Sequence, residues 1–227
     1  MQQIQRRSLV DTAVEQMRLQ VTGGAWAVGA RIPSESELTT MLGVSRPSVR
    51  EAVRSLVQLG LLETRQGDGT YVVADDATQV ALRRAIGAAD TREVIRVRRA
   101  LDVLAGREAA ENRSAADLQE LADLLALRRE AIAAVDIEAF TEADVEFHLA
   151  VARASGNQLL SSLYASFDTS LRESITDASQ LAKGADPDRA DMHEALFRAI
   201  SEGDVELAMS ASLGVLDQQE RLLDESS

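Results

Sequence analysis

Residues 43–54, GVSRPSVREAVR, constrain the fold more than any other stretch of the chain. Gly43 and Val44 form a turn, and Ser45 can cap a helix by accepting a free backbone N–H of its first turn. Pro47 falls within that turn, where its missing N–H costs no helical bond. Val49, Ala52, Val53 and Leu56 then recur at three- and four-residue spacing and make one apolar face. Arg46, Arg50 and Arg54 recur every four residues and line a different face. One face suits a core and the other suits phosphates and guanine edges, so a DNA-reading helix is expected from Ser45 to about Leu59.

The flanking residues complete a small domain around it. Val10, Ala13, Val14, Met17 and Val21 give residues 8–22 an amphipathic helix stopped by Gly23-Gly24, and Trp26 and Val28 are expected to close the core. Ser34 and Glu37 form a capping-box pair opening a short helix over 35–42, on Leu38, Met41 and Leu42, which Gly43 ends. Helix, turn and second helix at this spacing make a helix-turn-helix. In LLETRQGDGTYVV, residues 61–73, Leu62, Thr64 and Thr70–Val73 are β-formers around a Gly67-Asp68-Gly69 turn. This hairpin is read as a wing, with Gly67 letting the backbone approach a minor groove beside Arg65 and Gln66; the plainer alternative is a structural hairpin covering the core edge. The DNA-contacting set is then Ser45, Arg46, Pro47, Ser48 and Arg50 from the helix, with Arg65, Gln66 and Gly67 from the wing.

Residues 29–72, GARIPSESELTTMLGVSRPSVREAVRSLVQLGLLETRQGDGTYV, resemble the winged helix-turn-helix of the GntR family of bacterial transcription regulators. The Pro-Ser-Glu, the Gly-Val-Ser-Arg turn, the Val-Arg-Glu-Ala core and the Gly-x-Gly-Thr wing stand at family spacing. One departure is Ser36, where the family usually has Arg, Lys or another large polar residue that touches DNA in some members.

A net charge of −13 fits a DNA binder only once it is divided. Residues 1–75 carry eight Arg and eight acidic residues, so the whole excess lies in 76–227. Local charge governs phosphate contact, and the acidic half reads as a solvated surface. The absence of cysteine excludes disulfides, iron–sulfur clusters and thiolate zinc sites. No stretch has the apolar length of a membrane span, and MQQIQRRSLV lacks a signal peptide's apolar region, so a cytoplasmic protein with no membrane partner is expected.

Residues 74–89, ADDATQVALRRAIGAA, read as a linker or linker helix. The expected organisation is a winged helix-turn-helix over 1–75, a linker over 76–89 and an all-helical domain over 90–227. Helical blocks are expected at roughly 90–112, 115–134, 136–155, 157–180, 187–202 and 204–224, with breaks at Asn157, Gly184-Ala185-Asp186-Pro187 and Gly203-Asp204. An antiparallel helical bundle buries that many apolar stripes, so the fold class is mostly α. VRRALDVLAGREAA (97–110), DVEFHLAVARASGN (144–157) and HEALFRAISEGD (193–204) resemble the helical FCD effector domain of the FadR-type GntR subfamily.

Asp144 and His148 are four residues apart on one helix and share a face. His193 stands on the inward side of a later helix with Leu196, Phe197 and Ile200. A carboxylate and two imidazoles converging inside a bundle suit a divalent metal. The resemblance implies this Asp–His pair, this later His and a third His on the last helix, but that position holds Val215, on a stripe with Leu207 and Ala211. Two readings stand: three protein ligands plus water hold one zinc or nickel ion, or the histidines are neutral core residues bonded to Asp144 or water. Arg98 occupies a position where family members often aim an arginine at an acidic effector; its alternative is a surface pair with Asp102. Arg98, Asp144, His148, Asn157 and His193 are the candidate effector residues.

The chain is expected to be a ligand-responsive regulator, a repressor before an activator, binding a palindromic operator in double-stranded DNA as a homodimer and sensing a small organic acid. A metal-dependent sensor is the next reading, and a metal-assisted hydrolase using Asp144, His148 and His193 the third. No nucleophile elbow, P-loop or dinucleotide fingerprint accompanies those three, so an enzyme is not expected.

Overall fold

Local chemistry starts the elements where the side chains allow. In the computed structural model, which describes residues 8–181 and 187–225, three helices open on capping boxes: Ser8 with Asp11, Ser34 with Glu37 and Ser114 with Asp117. Each serine accepts the backbone N–H three residues on, and the carboxylate there accepts the serine's own N–H. The chain divides into two compact units, 1–82 and 83–227.

The first unit packs α1 (Leu9–Thr22), α2 (Glu35–Leu42) and α3 (Arg46–Gln58) around Ala13, Met17, Val21, Leu38, Val49, Ala52, Val53 and Leu56. Gly43 ends α2 in the left-handed conformation, φ 65°, and Ser45 then caps α3. β1 (Leu62–Arg65) and β2 (Gly69–Val72) form an antiparallel hairpin in register Leu62 with Val72 and Arg65 with Gly69. The far side of β2 is covered by residues 29–32, through Gly29 N–H to Val72 O, Val72 N–H to Ala30 O and Ile32 N–H to Thr70 O. Glycine is favoured at 69 by its φ of 149°, which L side chains rarely adopt, and its bare Cα leaves room for the Arg31 side chain. Trp26 packs partly buried against this core as expected, whereas Val28 and Met41 are exposed. Val28 lies in a turn, and Met41 points away from the Leu38 side of a helix only two turns long.

α4 (Ala77–Gly87) starts at Asp76, whose carboxylate accepts two backbone N–H groups, and contains no fully buried residue. The second unit is an antiparallel bundle of α5 (Thr91–Asn112), α6 (Ala115–Ala134), α7 (Ile137–Ala154), α8 (Gln158–Ala165), α9 (Asp168–Leu181), α10 (Pro187–Glu202) and α11 (Val205–Glu225). α7 is its axis: eleven of its eighteen residues are buried, and α5, α6, α8 and α9 pack on it. A helix buried on nearly every side carries its polar residues into the interior, and Asp144 and His148 go with it.

Two further sequence expectations change, both in the second unit. The block over 157–180 is two helices, broken at Ser166-Phe167, where successive N–H groups turn back to Leu163 and Tyr164 carbonyls. The inward stripe of α11 is Ala208, Ala211, Ser212 and Val215, while Leu207 is exposed. Spacing by fours drifts off a 3.6-residue turn, and the residue at 208 takes the inward place. Of the expected break at 184–187, residues 184–186 lie outside the described residues, and α10 starts at Pro187. Among the described residues no helix is long and apolar enough to cross a membrane.

Candidate functional site

On the first unit, α3 turns Arg46 and Arg50 to solvent while its apolar face fills the core. The two arginines share one carboxylate from the neighbouring helix. Arg50 donates Nε–H and Nη2–H to Glu35 at 3.3 and 3.2 Å, and Arg46 Nε stands 3.8 Å from it. Ser45 and Ser48 join hydroxyls at 2.8 Å, and Ser45 Oγ also accepts the Ser48 N–H. Ser45 therefore holds the helix start; Pro47 and, on α2, Ser36 are exposed. At the hairpin tip, Gly67 has φ 79° and Gln66 is exposed. Arg65 lies 4.3 Å from the centre of the Tyr71 ring and donates to Glu63, and Tyr71 donates to Asp68 at 2.9 Å. The hairpin thus displays an arginine over a rigid aromatic support. Glu35 was missed in the sequence, because nothing in local spacing joins residue 35 to residue 50.

In the second unit the structure brings Arg98, Asp144, His148 and His193 into one buried polar cluster, each no more than 5% exposed. Arg98 is not on the surface: its Nε stands 3.2 Å from Asp102 Oδ2 in the interior. Tyr164 of α8 donates its hydroxyl to the same carboxylate. Burial first, and then the Asp102 carboxylate, push the Tyr164 phenol well above its usual range, so it remains a donor.

Asp144 lies among His193 Nε2 at 3.2 Å, His148 Nε2 at 3.9 Å and Arg128, which donates Nε–H at 2.5 Å. Burial alone would raise the Asp144 carboxyl; His193 and Arg128 outweigh it and hold it below the usual carboxylate range. Burial, reinforced by Arg98, lowers His148 to about 3, so its imidazole is neutral at neutral pH. Arg128, 2% exposed and 4.9 Å from the centre of the Phe140 ring, was missed in the sequence. A signal existed: Leu121, Leu125 and Arg128 follow one inward stripe of α6, and all three are buried.

The donor atoms of Asp144, His148 and His193 all lie within 4.8 Å of one another. His148 Nε2 is buried and makes no hydrogen bond among the described residues. A carboxylate, a neutral imidazole with an unused buried nitrogen and a second imidazole suit zinc or nickel. Val215, at the position where the resemblance implies a further histidine, lines with His148, Asp102, Val151, Leu196 and Ser212 a cavity of about 10 Å³. That is room for about one water molecule. Asn157 does not line this cavity; its side chain caps α8 by accepting the Leu160 N–H and donates to Glu108. A larger open groove of about 500 Å³ runs along α6 and α7, floored by Leu124, Ala131 and Ala143 and rimmed by Glu130 and Glu146, with none of the polar cluster in its walls.

Comparison with known proteins gives two family matches: the bacterial regulatory proteins of the gntR family over residues 9–72, and the FCD domain over residues 93–218. The HTH-type transcriptional regulator LutR of Bacillus subtilis is 31% identical over 213 residues, 89% of this chain and 95% of its own. The galactonate operon transcriptional repressor of Escherichia coli is 29% identical over 225 residues, 95% of this chain and 96% of its own. Among solved structures, a Streptococcus agalactiae GntR protein superposes with a TM-score of 0.69 at 27% identity, covering 93% of this chain and 99% of that one.

Proposed function

Because the chain belongs to the GntR family of bacterial transcriptional regulators and carries an FCD domain, we propose that it is a repressor that binds a palindromic operator as a homodimer and lets go when a small organic acid enters the helical domain. The observation that carries the DNA half is the pair of exposed arginines on α3, held by a surface carboxylate that phosphates and guanines can replace. Arg46, Pro47, Ser48 and Arg50 enter the major groove with Ser45 at the helix start, and Arg65, Gln66 and Gly67 follow the adjacent minor groove. Paired recognition helices read half-sites about 34 Å apart. Selection from random DNA by the full-length protein should return an inverted repeat. Arg46→Ala and Arg50→Ala should each weaken binding to it by about 1–3 kcal/mol without lowering the melting temperature. Undiminished binding by both variants would remove α3 as the reader.

For the effector half, a carboxylate entering beside His148 exchanges with Asp102 for the Arg98 guanidinium, like for like. Support for an acid comes from that buried fork and from the relative named for the galactonate operon. The cavity holds about one water, so the acid enters only if α5, α7, α10 and α11 separate around it. That expansion converts occupancy into shape, since a close-packed interior does not deform continuously.

A second reading is favoured by the unused nitrogen of His148: Asp144, His148 and His193 hold a divalent ion, with a water or the effector's carboxylate completing the set where Val215 offers no donor. Bound there, the ion would supply a Lewis-acid contact for that carboxylate. Val215→His should lower the metal-free melting temperature, since a polar ring replaces a buried isopropyl group, and enlarge the rise produced by zinc. Equal shifts in wild type and variant, or none in either, would assign the two histidines to the core.

A further inference from the structure

Among the described residues the buried cluster holds two guanidiniums and two carboxylates. Arg98 pairs with Asp102, and Arg128 pairs with Asp144. Among the described residues their formal charges cancel before any ion arrives. Asp144 is also the sole carboxylate in the candidate metal set, and its Oδ1 already accepts the Arg128 Nε–H at 2.5 Å with His193 Nε2 3.2 Å away. Arg128 is fixed in this position: it is 2% exposed and packs against the Phe140 ring. A divalent ion reaching Asp144 therefore meets a carboxylate whose charge is spent and a second cation beside it. Buried charge without a counter-charge is costly, and an anion arriving with the ion removes that cost.

We infer that Arg128 is a resident competitor of the metal, so that a divalent ion binds tightly at Asp144, His148 and His193 only together with an anion. This rests on the metal reading above and adds a condition to it: metal and acid are sensed jointly, each raising the affinity of the other by the same factor. Arg128 is a positioning residue in this scheme, since it acts through Asp144.

The test is calorimetric titration of zinc into the full-length protein, with and without formate, the smallest carboxylate, for wild type, Arg128→Met and Arg128→Lys. Arg128→Met removes the charge and keeps an unbranched apolar stem; it should bind zinc alone at least tenfold more tightly than wild type and gain little from formate. Arg128→Lys keeps the charge and should resemble wild type, whose zinc affinity should rise at least tenfold with formate. Equal zinc affinity in wild type and Arg128→Met overturns the inference while leaving the metal reading intact. Should Arg128→Met fail to fold, the formate arm decides: a wild-type affinity unmoved by formate overturns it equally. Absence of zinc binding by every protein under both conditions removes the metal reading itself, and the inference with it.

Discussion

Both units contain arginines paired with carboxylates, and their surroundings make them opposite devices. Arg46 and Arg50 share Glu35 at the surface, where two-thirds and more than half of the two arginine side chains are in water. Such pairs are worth roughly 0–1 kcal/mol and are screened by salt, so incoming phosphates displace them at little cost. Arg98 with Asp102 and Arg128 with Asp144 are buried, and removing one partner there takes a counter-charge from a charge that water does not reach. The same functional groups are exchangeable in one place and fixed in the other. Exposure alone decides which.

The sharpest way to break this contrast is to remove one carboxylate from each side. Asp102→Ala leaves Arg98 and the Tyr164 hydroxyl without their shared acceptor and should cost about 3–5 kcal/mol in urea unfolding of the full chain. Glu35→Ala should cost less than about 1 kcal/mol. Similar losses would mean that burial does not separate the two kinds of pair.

Acid sharpens it next. His148 is held neutral, with a value near 3 against an ordinary 6.5. In the unfolded chain it takes a proton as pH falls through 6.5, and in the folded chain it does not. Its contribution is therefore complete above pH 6.5 and is lost as pH falls toward 3, at up to about 1.4 kcal/mol per pH unit. Asp144, held below its usual range, adds loss in the same direction at lower pH, below about 4. Replacing His148 with Leu should flatten the stability curve between pH 6.5 and 5; an unchanged slope would place the imidazole in water.

The smallest effect concerns Glu35. Its carboxylate holds the Arg50 fork in one orientation and repels phosphates. Glu35→Gln should bind non-operator DNA severalfold more tightly while the ratio of operator to non-operator affinity falls. An unchanged ratio, measured by fluorescence anisotropy at one fixed salt concentration, would leave Glu35 as an ordinary surface residue.

Much of this was legible in the residues because caps and stripes are local. Ser34 with Glu37, Gly43, Ser45 and the Val49–Leu56 face fix the helix-turn-helix without reference to distant chain. The convergence of Asp144, His148 and His193 was legible for a related reason: each stands on an apolar stripe, so burying the stripes buries all three. Arg128 was not, because two adjacent arginines in LALRRE read as solvated. Only the Leu121–Leu125 stripe separates buried Arg128 from its exposed neighbour Arg129, which pairs with Glu194. The break at Ser166-Phe167 has neither Gly nor Pro to announce it. Glu35 against Arg50 is a contact between helices, and such contacts appear only when the helices are placed.

Trp26, packed partly buried against the core of the first unit, is the chain's one tryptophan. Tyr71 lies in the same unit, and Tyr164, bonded to Asp102, is the one tyrosine of the helical domain. Indole emission is therefore an optical signal from the DNA-reading unit alone, and the ultraviolet absorption of Tyr164 comes from inside the buried cluster. An acid that perturbs Tyr164 absorption has been bound. If it also changes Trp26 emission, the message has crossed from one unit to the other, and the molecule carries its own two-channel recorder of that passage.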